Sequence, residues 1–138
     1  MSPKQVKEYK TPSHIAEAGA APAAVSPSAL VGTWKNVSST TRDIVKIVIS
    51  ASGTSVSVEA FGACSPTPCD WGSVPGFAYA TNVSSSAAEA FSAQYTFSFA
   101  QVILVGHLQG KHLLVESFTH FTDGSGRSDL YTTDTMGK

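Results

Sequence analysis

Apolar and polar residues alternate along most of this chain, and the alternation begins near Leu30. The segment "TSVSVEAFG" (54–62) is the clearest example, because Val56, Val58 and Ala60 alternate there with polar or charged residues. Successive side chains of a β-strand point to opposite faces, so a period of two predicts a strand with one face turned toward a core.

Segments of this kind follow one another at a spacing of roughly ten residues, which is typical of β-sandwiches and barrels. Short turns separate them, and "TDGSG" (122–126) is predicted to close a hairpin. We predict a loop over 82–90, with a short helix as the alternative. The predicted strands are 32–38, 43–50, 54–62, 70–81, 94–99, 101–109, 112–121 and 127–136.

Large apolar side chains fall on one face of two of these strands, as expected for strands that cover a core. Several other strands are apolar on both faces, so the sequence leaves open which of their faces points inward. The residues expected to share an inner face are Val45, Ile47 and Ile49 in one strand and Tyr95, Phe97 and Phe99 in the other.

The links between the predicted strands are short, and no helical pattern of the length that a parallel sheet needs lies between them. Consecutive strands with short links form an antiparallel meander, and closing the meander into a barrel removes its exposed edges. We therefore predict an all-β domain over residues 30–138, an antiparallel up-and-down β-barrel of about eight strands. An open sandwich is the alternative, although it needs longer crossovers than this sequence offers.

Residues 1–29 differ from the rest because they are rich in Ala and Pro and show no sustained periodicity. We interpret them as a flexible N-terminal extension, which is either disordered or acts as a lid over the barrel. Within it, "SHIAEAGA" (13–20) has the signals of a single helical turn.

Composition narrows the classes of partner. Only 14% of residues are charged, the formal net charge is −1, and the nine Lys and Arg residues are scattered, so we expect no nucleic-acid binding. No segment approaches the ~20 apolar residues that span a bilayer, so we expect no membrane partner. The N-terminal segment lacks the apolar core of a signal peptide, which predicts a cytoplasmic protein, with a secreted mature form as the alternative. A homo-oligomer is compatible with the sequence.

The segment "GACSPTPCDWG" (62–72) holds the two cysteines of the chain, Cys64 and Cys69. A structural zinc site needs four ligands, usually supplied as two close pairs, and a thioredoxin-type site needs Cys-x-x-Cys. Neither requirement is met, which leaves a disulfide and a pair of reduced structural thiols as open alternatives. We predict that the segment forms a structural corner at one rim of the barrel, with Trp71 anchoring the next strand in the core.

The segment "VGTWKN" (31–36) resembles the opening of the calycin barrels, the lipocalins and avidins, whose first strand begins with Gly-x-Trp. The matching residues are Gly32 and Trp34, and the resemblance implies that Trp34 plugs the closed end of a barrel. The resemblance to avidins extends to Asn36 and implies that Asn36 contacts the ligand. The later tryptophans that wall the avidin ligand site have no counterpart here.

A longer pattern runs from Gly-x-Trp through Cys-x4-Cys-Asp-Trp-Gly to "FTDGSGR" (121–127) near the C-terminus. This pattern is similar to that of a group of small single-domain proteins of unassigned activity, and it covers residues 32–138. In that group a His usually follows the first Cys and an Asp precedes the second, whereas this chain has Ser65 and Pro68.

A barrel that holds a ligand needs a mostly apolar lining with a few fixed polar contacts, and aromatic residues can supply the lining or simply fill the core. His112 and His120 lie too far apart along one strand to share a metal ion, so no metal is predicted, and no nucleotide or cofactor motif is present. The candidate ligand-binding residues are Trp34, Asn36, Trp71, Tyr79, Tyr95, Phe97, Phe99 and Phe118. The candidate acid–base residues are Glu59, His107, Glu116 and Tyr131, with Arg127 and Asp129 as further candidates for inward polar groups.

The function that these features favour is the binding of one small, largely apolar molecule inside the barrel. A cofactor-independent cyclase or isomerase is a second hypothesis, because a barrel can fold a flexible substrate into a reactive shape. A non-catalytic carbohydrate-binding or interaction module is a third. The sequence leaves open whether the protein is an enzyme.

Overall fold

Eight β-strands follow one another in residues 25–138, the part of the chain that the structure, a computed structural model, describes. Each strand pairs antiparallel with the next, and β8 pairs with β1, so the sheet closes into a barrel. This topology confirms the predicted all-β meander and rules out the open sandwich. The strands are β1 (Gly32–Asn36), β2 (Ile44–Ser52), β3 (Ser55–Gly62), β4 (Cys69–Tyr79), β5 (Ala90–Thr96), β6 (Ala100–Gln109), β7 (His112–Phe121) and β8 (Leu130–Gly137).

The fifth strand differs from its predicted bounds, because it begins within the segment that was expected to be a loop. It ends at Thr96, and the Phe97 N–H donates to the Ala100 carbonyl oxygen at 2.8 Å, which closes a turn to β6. Residues 80–89 form no helix. Asn82 Oδ1 accepts both the N–H and the hydroxyl of Ser84, and such a local side-chain bond competes with helix formation.

The link between β7 and β8 is a longer loop than the tight hairpin that "TDGSG" predicts, and it spans residues 122–129. Asp123 Oδ1 accepts the Ser125 N–H at 3.0 Å, and Asp129 Oδ1 accepts the Phe121 N–H at 3.0 Å. These two carboxylates satisfy backbone donors that a continued strand ladder would otherwise pair.

The inner face of β2 differs from the prediction at one position. Ile47 and Ile49 are buried as predicted, but the third buried residue is Ile44, and Val45 lies half-exposed instead. The pairing with β3 shifts between Ile44 and Lys46, which marks a β-bulge. A bulge adds one residue to a strand and reverses the faces beyond it, so the simple alternation was wrong for Val45.

Trp34 lies at the closed end of the barrel with 3% of its surface exposed. Its indole Nε1 donates to the Leu30 carbonyl oxygen at 2.8 Å, and Leu30 is fully buried. Ser26 pairs with Ala87 beside the β4–β5 link, so the chain crosses this end before β1 begins. These contacts seal one end of the barrel with apolar side chains.

The predicted N-terminal extension is described only from residue 25 onward. Residues 25–29 lie at the closed end, where Val25 packs against the core. The predicted helical turn and the rest of the proposed lid fall in residues 1–24, outside the described residues.

Tyr95 occupies the middle of the barrel and is 2% exposed. Its hydroxyl accepts the Ala60 N–H at 3.0 Å and lies 2.7 Å from the Gly72 carbonyl oxygen, to which it donates. The register between β3 and β4 shifts between Glu59 and Phe61, so the hydroxyl bridges the point where the ladder is irregular. Burial raises the pKa of Tyr95, which keeps the phenol protonated.

Replacing Tyr95 with Phe should lower the free energy of unfolding by about 1–3 kcal/mol, because a buried N–H would lose its partner. Tyr131→Phe is the matched control, since the Tyr131 hydroxyl bonds to Glu116 on the exposed surface, and it should change stability by about 0.5 kcal/mol or less. Chemical denaturation followed by circular dichroism measures both values. Equal losses in the two variants would contradict this role of Tyr95.

Candidate functional site

The end of the barrel opposite Trp34 is open and holds a cavity of about 670 Å³, which we call the mouth cavity. It lies among the β1–β2, β3–β4, β5–β6 and β7–β8 links, which a meander places at one end. Three surface grooves elsewhere on the barrel measure about 270 to 320 Å³ each. The mouth cavity has a volume within the range of roughly 300–1,000 Å³ that is typical of small-molecule sites.

One side of the mouth cavity is built by Trp71, Phe97 and Phe99, which we call the aromatic wall. The ring of Phe97 stacks between those of Tyr95 and Phe99, with centroids 5.5 and 5.4 Å apart. Trp71 meets the rings of Tyr95 and Phe97 edge-on. Such offset and edge-to-face pairs hold each ring in place and leave ring surface turned to the cavity.

A second side of the mouth cavity carries Ser117 and Thr119 from β7 and Thr132 from β8, which we call the hydroxyl wall. Ser117 and Thr132 are directly opposite in the β7–β8 register, and their hydroxyls are hydrogen-bonded to each other. Ser117 is 7% exposed. Apart from the aromatic residues Trp34 and Tyr95, it is the one buried residue with a polar side chain among residues 25–138.

Arg127 lies at the rim of the mouth cavity, where its guanidinium carbon is 4.1 Å from the ring centroid of Phe121. Its Nη2 donates to Asp123 Oδ2 at 2.8 Å and its Nε donates to Ser125 Oγ at 3.0 Å. Hydrogen bonds from Ser125, followed by the contact with Arg127, lower the pKa of Asp123. Arg127 is therefore near the cavity, as a polar candidate should be, but its charge is already paired.

Asn36, which the avidin resemblance implies as a ligand contact, has its hydrogen-bonding groups engaged by the protein. Its Nδ2 donates to the Ile44 carbonyl oxygen at 2.9 Å and to Asp134 Oδ1 at 2.8 Å, and its Oδ1 accepts the Ser38 N–H. Burial raises the pKa of Asp134, while the bond from Asn36 opposes that shift. In this arrangement Asn36 ties β1 to β8, and it is not part of the lining of the mouth cavity.

The acid–base candidates named from the sequence lie on the outside of the barrel wall. Glu59 and Glu116 each lie between two buried neighbours in their strands, and His107 and Tyr131 are exposed. A hydrogen bond with Asp70 raises the pKa of Glu59, and donation to Glu116 Oε2 raises the pKa of Tyr131. The outward residues are Glu59, His107, Glu116 and Tyr131.

Of the ligand-binding candidates, three form the aromatic wall, and Tyr95 lies beneath it. Trp34 lies at the closed end, where Lys138 Nζ is 4.8 Å from its ring centroid. Tyr79 is on the outer face, with its hydroxyl 2.7 Å from Ser92 Oγ, and Phe118 is also on the outer face. The structure therefore brings together Trp71, Tyr95, Phe97 and Phe99 and leaves Trp34, Asn36, Tyr79 and Phe118 apart from them.

Phe118 belongs to an outer row of exposed apolar residues, with Ile103 and Tyr131 as its direct cross-strand neighbours. The rings of Phe118 and Tyr131 are 5.1 Å apart, and all three side chains are 41 to 57% exposed. Beside this outer row, Asp129 Oδ2 lies 2.8 Å from His120 Nδ1, and the hydrogen bond from His120 lowers the pKa of Asp129. Asp129 thus belongs to the outer surface and not to the barrel interior.

Cys64 and Cys69 are joined as a disulfide whose Cα atoms are 5.4 Å apart. The bridge spans the β3–β4 link, between the end of β3 at Gly62 and the start of β4, and both cysteines line the mouth cavity. The segment thus forms a corner at the rim, with Trp71 packed against the core behind it.

The residues of the hydroxyl wall were not predicted from the sequence, although the alternation within β7 indicates two of them. Leu113 and Val115 are buried, and continuing their alternation by two residues places Ser117 and then Thr119 on the inner face. The part-buried position of Asp134 was also not predicted from the sequence, because a charged residue is ordinarily assigned to the outer face.

Comparison with known proteins shows no relative: no family model, no curated protein and no solved structure matches this chain. Within residues 25–138, no three His, Cys, Asp or Glu side chains are grouped so that they could hold a metal ion. The same residues form no helix that is long and apolar enough to cross a membrane.

Replacing both cysteines, Cys64→Ser with Cys69→Ser, should lower the free energy of unfolding by about 2 kcal/mol, the loop-closure value for so short a ring. The circular dichroism spectrum should stay that of the native barrel, because the strands on either side pair independently of the bridge. Denaturation under non-reducing conditions measures the loss. An unfolded double variant would show that the rim corner is required for the barrel to form.

Proposed function

We propose that this protein binds one small, largely apolar molecule in the mouth cavity. The observation that carries the proposal is the 670 Å³ cavity at the open end of the barrel, with the aromatic wall on one side of it. A ligand of this kind gains affinity by removing its apolar surface from water, at about 25 cal/mol per Å² before the costs of ordering are subtracted.

The packing of the aromatic wall supports this proposal. Phe97 and Phe99 form the β5–β6 turn, and the stack on the buried Tyr95 ring fixes the position of the wall. A wall that is ordered before binding avoids part of the entropy cost that a flexible surface would incur on association.

A cyclase or isomerase acting in the same cavity has less support. Glu59, His107, Glu116 and Tyr131 do not line the cavity, and the carboxylates that do are Asp43 and Asp70. General acid–base catalysis needs a group within hydrogen-bond reach of the substrate, so that role would fall to these two aspartates and to none of the predicted residues.

The outer row supports a different function, that of an interaction or carbohydrate-binding module. Exposed aromatic rings such as Phe118 and Tyr131 offer flat apolar surface, and the bonded carboxylates of Glu116 and Asp129 flank them. If this function holds, the intact protein should co-sediment with cellulose or chitin, and Phe118→Ala with Tyr131→Ala should abolish the binding.

Truncating one of two phenylalanines of similar exposure tests whether an apolar molecule binds in the mouth cavity or on the outer surface. Phe99 at the rim is 44% exposed and Phe118 in the outer row is 41% exposed, so truncating either one removes a comparable ring. Prodan, an uncharged dimethylaminonaphthalene that carries a propionyl ketone, is the fluorescent probe. We expect Phe99→Ala to weaken Prodan binding about tenfold, from the loss of roughly 1.4 kcal/mol of ring contact, and Phe118→Ala to leave it unchanged.

Either of two results would contradict the proposal. Failure of Prodan to bind the intact protein, or loss of binding in Phe118→Ala with full binding in Phe99→Ala, would remove the mouth cavity as the site. Circular dichroism confirms that each variant is folded.

A further inference from the structure

The two sides of the mouth cavity differ in chemistry in a way that defines the ligand. In a closed barrel of eight strands, strands that are four apart face each other, so β4 faces β8. Trp71 begins the aromatic wall on β4, and Thr132 belongs to the hydroxyl wall on β8. A molecule that fills the cavity therefore meets ring surface on one side and, on the other, the hydroxyl groups together with Phe121 and Leu130.

The paired hydroxyls of Ser117 and Thr132 leave one hydrogen available to a ligand. Each hydroxyl has one hydrogen to donate, and the bond between the two oxygens uses only one of them. Ser117 is the more deeply buried partner, whereas Thr132 is only half-buried at the cavity surface. The arrangement in which Ser117 donates to Thr132 turns the remaining hydrogen of Thr132 toward the cavity, where a ligand oxygen can accept it.

The barrel does not need hydroxyls at this position in order to fold. Of the other inward residues on these two strands, Leu113 and Val115 on β7 and Met136 on β8 are apolar and buried, whereas Asp134, between Thr132 and Met136, is half-buried and bonded to Asn36. Burying a hydroxyl pair gains little over an apolar pair of the same shape, because the hydroxyls give up hydrogen bonds to water. A Ser–Thr pair in a cavity whose other buried lining residues are apolar is thus better explained by what it can bind than by stability.

The charges around the cavity do not favour an ionised ligand. Two arginines and two aspartates contribute to its lining, Arg42, Arg127, Asp43 and Asp70, so the lining carries no net charge at neutral pH. Arg127 is also engaged by Asp123. Arg42 has no ion pair among the described residues, but Asp43 and Asp70 share the lining with it, so a carboxylate that entered the cavity would lose water and gain little net attraction.

We propose that the mouth cavity binds an uncharged, flat ring compound that carries an accepting oxygen, such as a ketone, and that the Ser117–Thr132 pair donates the hydrogen bond to that oxygen. This inference rests on the proposed function of the same cavity. The ring of the ligand lies against the aromatic wall, and its oxygen points to β7 and β8.

Three probes with the same ring system test the chemistry: Prodan with its ketone, dimethylaminonaphthalene without the ketone, and the corresponding naphthoate with a carboxylate. Fluorescence titration of the full chain gives the dissociation constants. We expect Prodan to bind about three- to tenfold more tightly than the ketone-free probe, as one hydrogen bond provides, and the carboxylate to bind about tenfold more weakly than Prodan.

The decisive variant is Ser117→Ala combined with Thr132→Val, which removes both hydroxyls and leaves neither one unpaired. It should bind Prodan about three- to tenfold more weakly, with a blue-shifted emission of the bound probe, and bind the ketone-free probe as the unmodified protein does. Thr133→Val is the matched control, because Thr133 is next in the same strand and points outward. Both variants should melt at the temperature of the unmodified protein.

The outcomes separate this inference from the proposed function. Ketone and ketone-free probes that bind equally well, with no effect of the double variant on affinity or emission, would overturn the hydrogen-bond assignment and leave the mouth cavity as an apolar site. Tighter binding of the carboxylate would overturn the charge argument. If none of the three probes binds the unmodified protein, both the inference and the proposed function are wrong.

Discussion

The pairing of β8 with β1 is the contact on which the rest of the structure depends, because it turns a meander with two free edges into a closed barrel. The seam is short, with only two residue pairs in register among the described strands. Side chains reinforce it: Asn36 bonds to Asp134 across the seam, and the Lys138 ammonium lies over the Trp34 ring. Closure determines which face of every strand is enclosed, so both the mouth cavity and the sealed end follow from it.

The strands could be predicted from the sequence because burial in a half-buried strand repeats every two residues, and residues 55–62 show this without exception. The predictions that were wrong concern positions where pairing between strands overrides the local pattern. Val45 faces outward because β2 contains a bulge, and a bulge depends on the register with β3. Phe97 to Phe99 form a turn where the alternation predicts a strand, and the bond from the Phe97 N–H to the Ala100 carbonyl oxygen closes that turn.

The aromatic wall could also be anticipated, because large rings in a predicted barrel strand are natural lining residues. The hydroxyl wall could not be identified with the same ease, since Ser and Thr are mostly exposed and are ordinarily assigned to the outer face. Phe118 shows the converse, because an exposed ring in the outer row has the same sequence signature as a buried one. Telling the two cases apart requires knowing which residues of β7 point inward. Barrel closure decides this, and the burial of Leu113 and Val115 shows it.

The proposed function depends most on a ligand occupying the open end of the barrel between its two unlike walls. The most direct measurement is the set of intermolecular nuclear Overhauser effects between bound Prodan and the protein side chains. We expect effects from the probe ring to the Phe97 and Phe99 rings, and from its propionyl group to the Thr132 methyl group. Effects to the rings of Phe118 and Tyr131 in their place would contradict it.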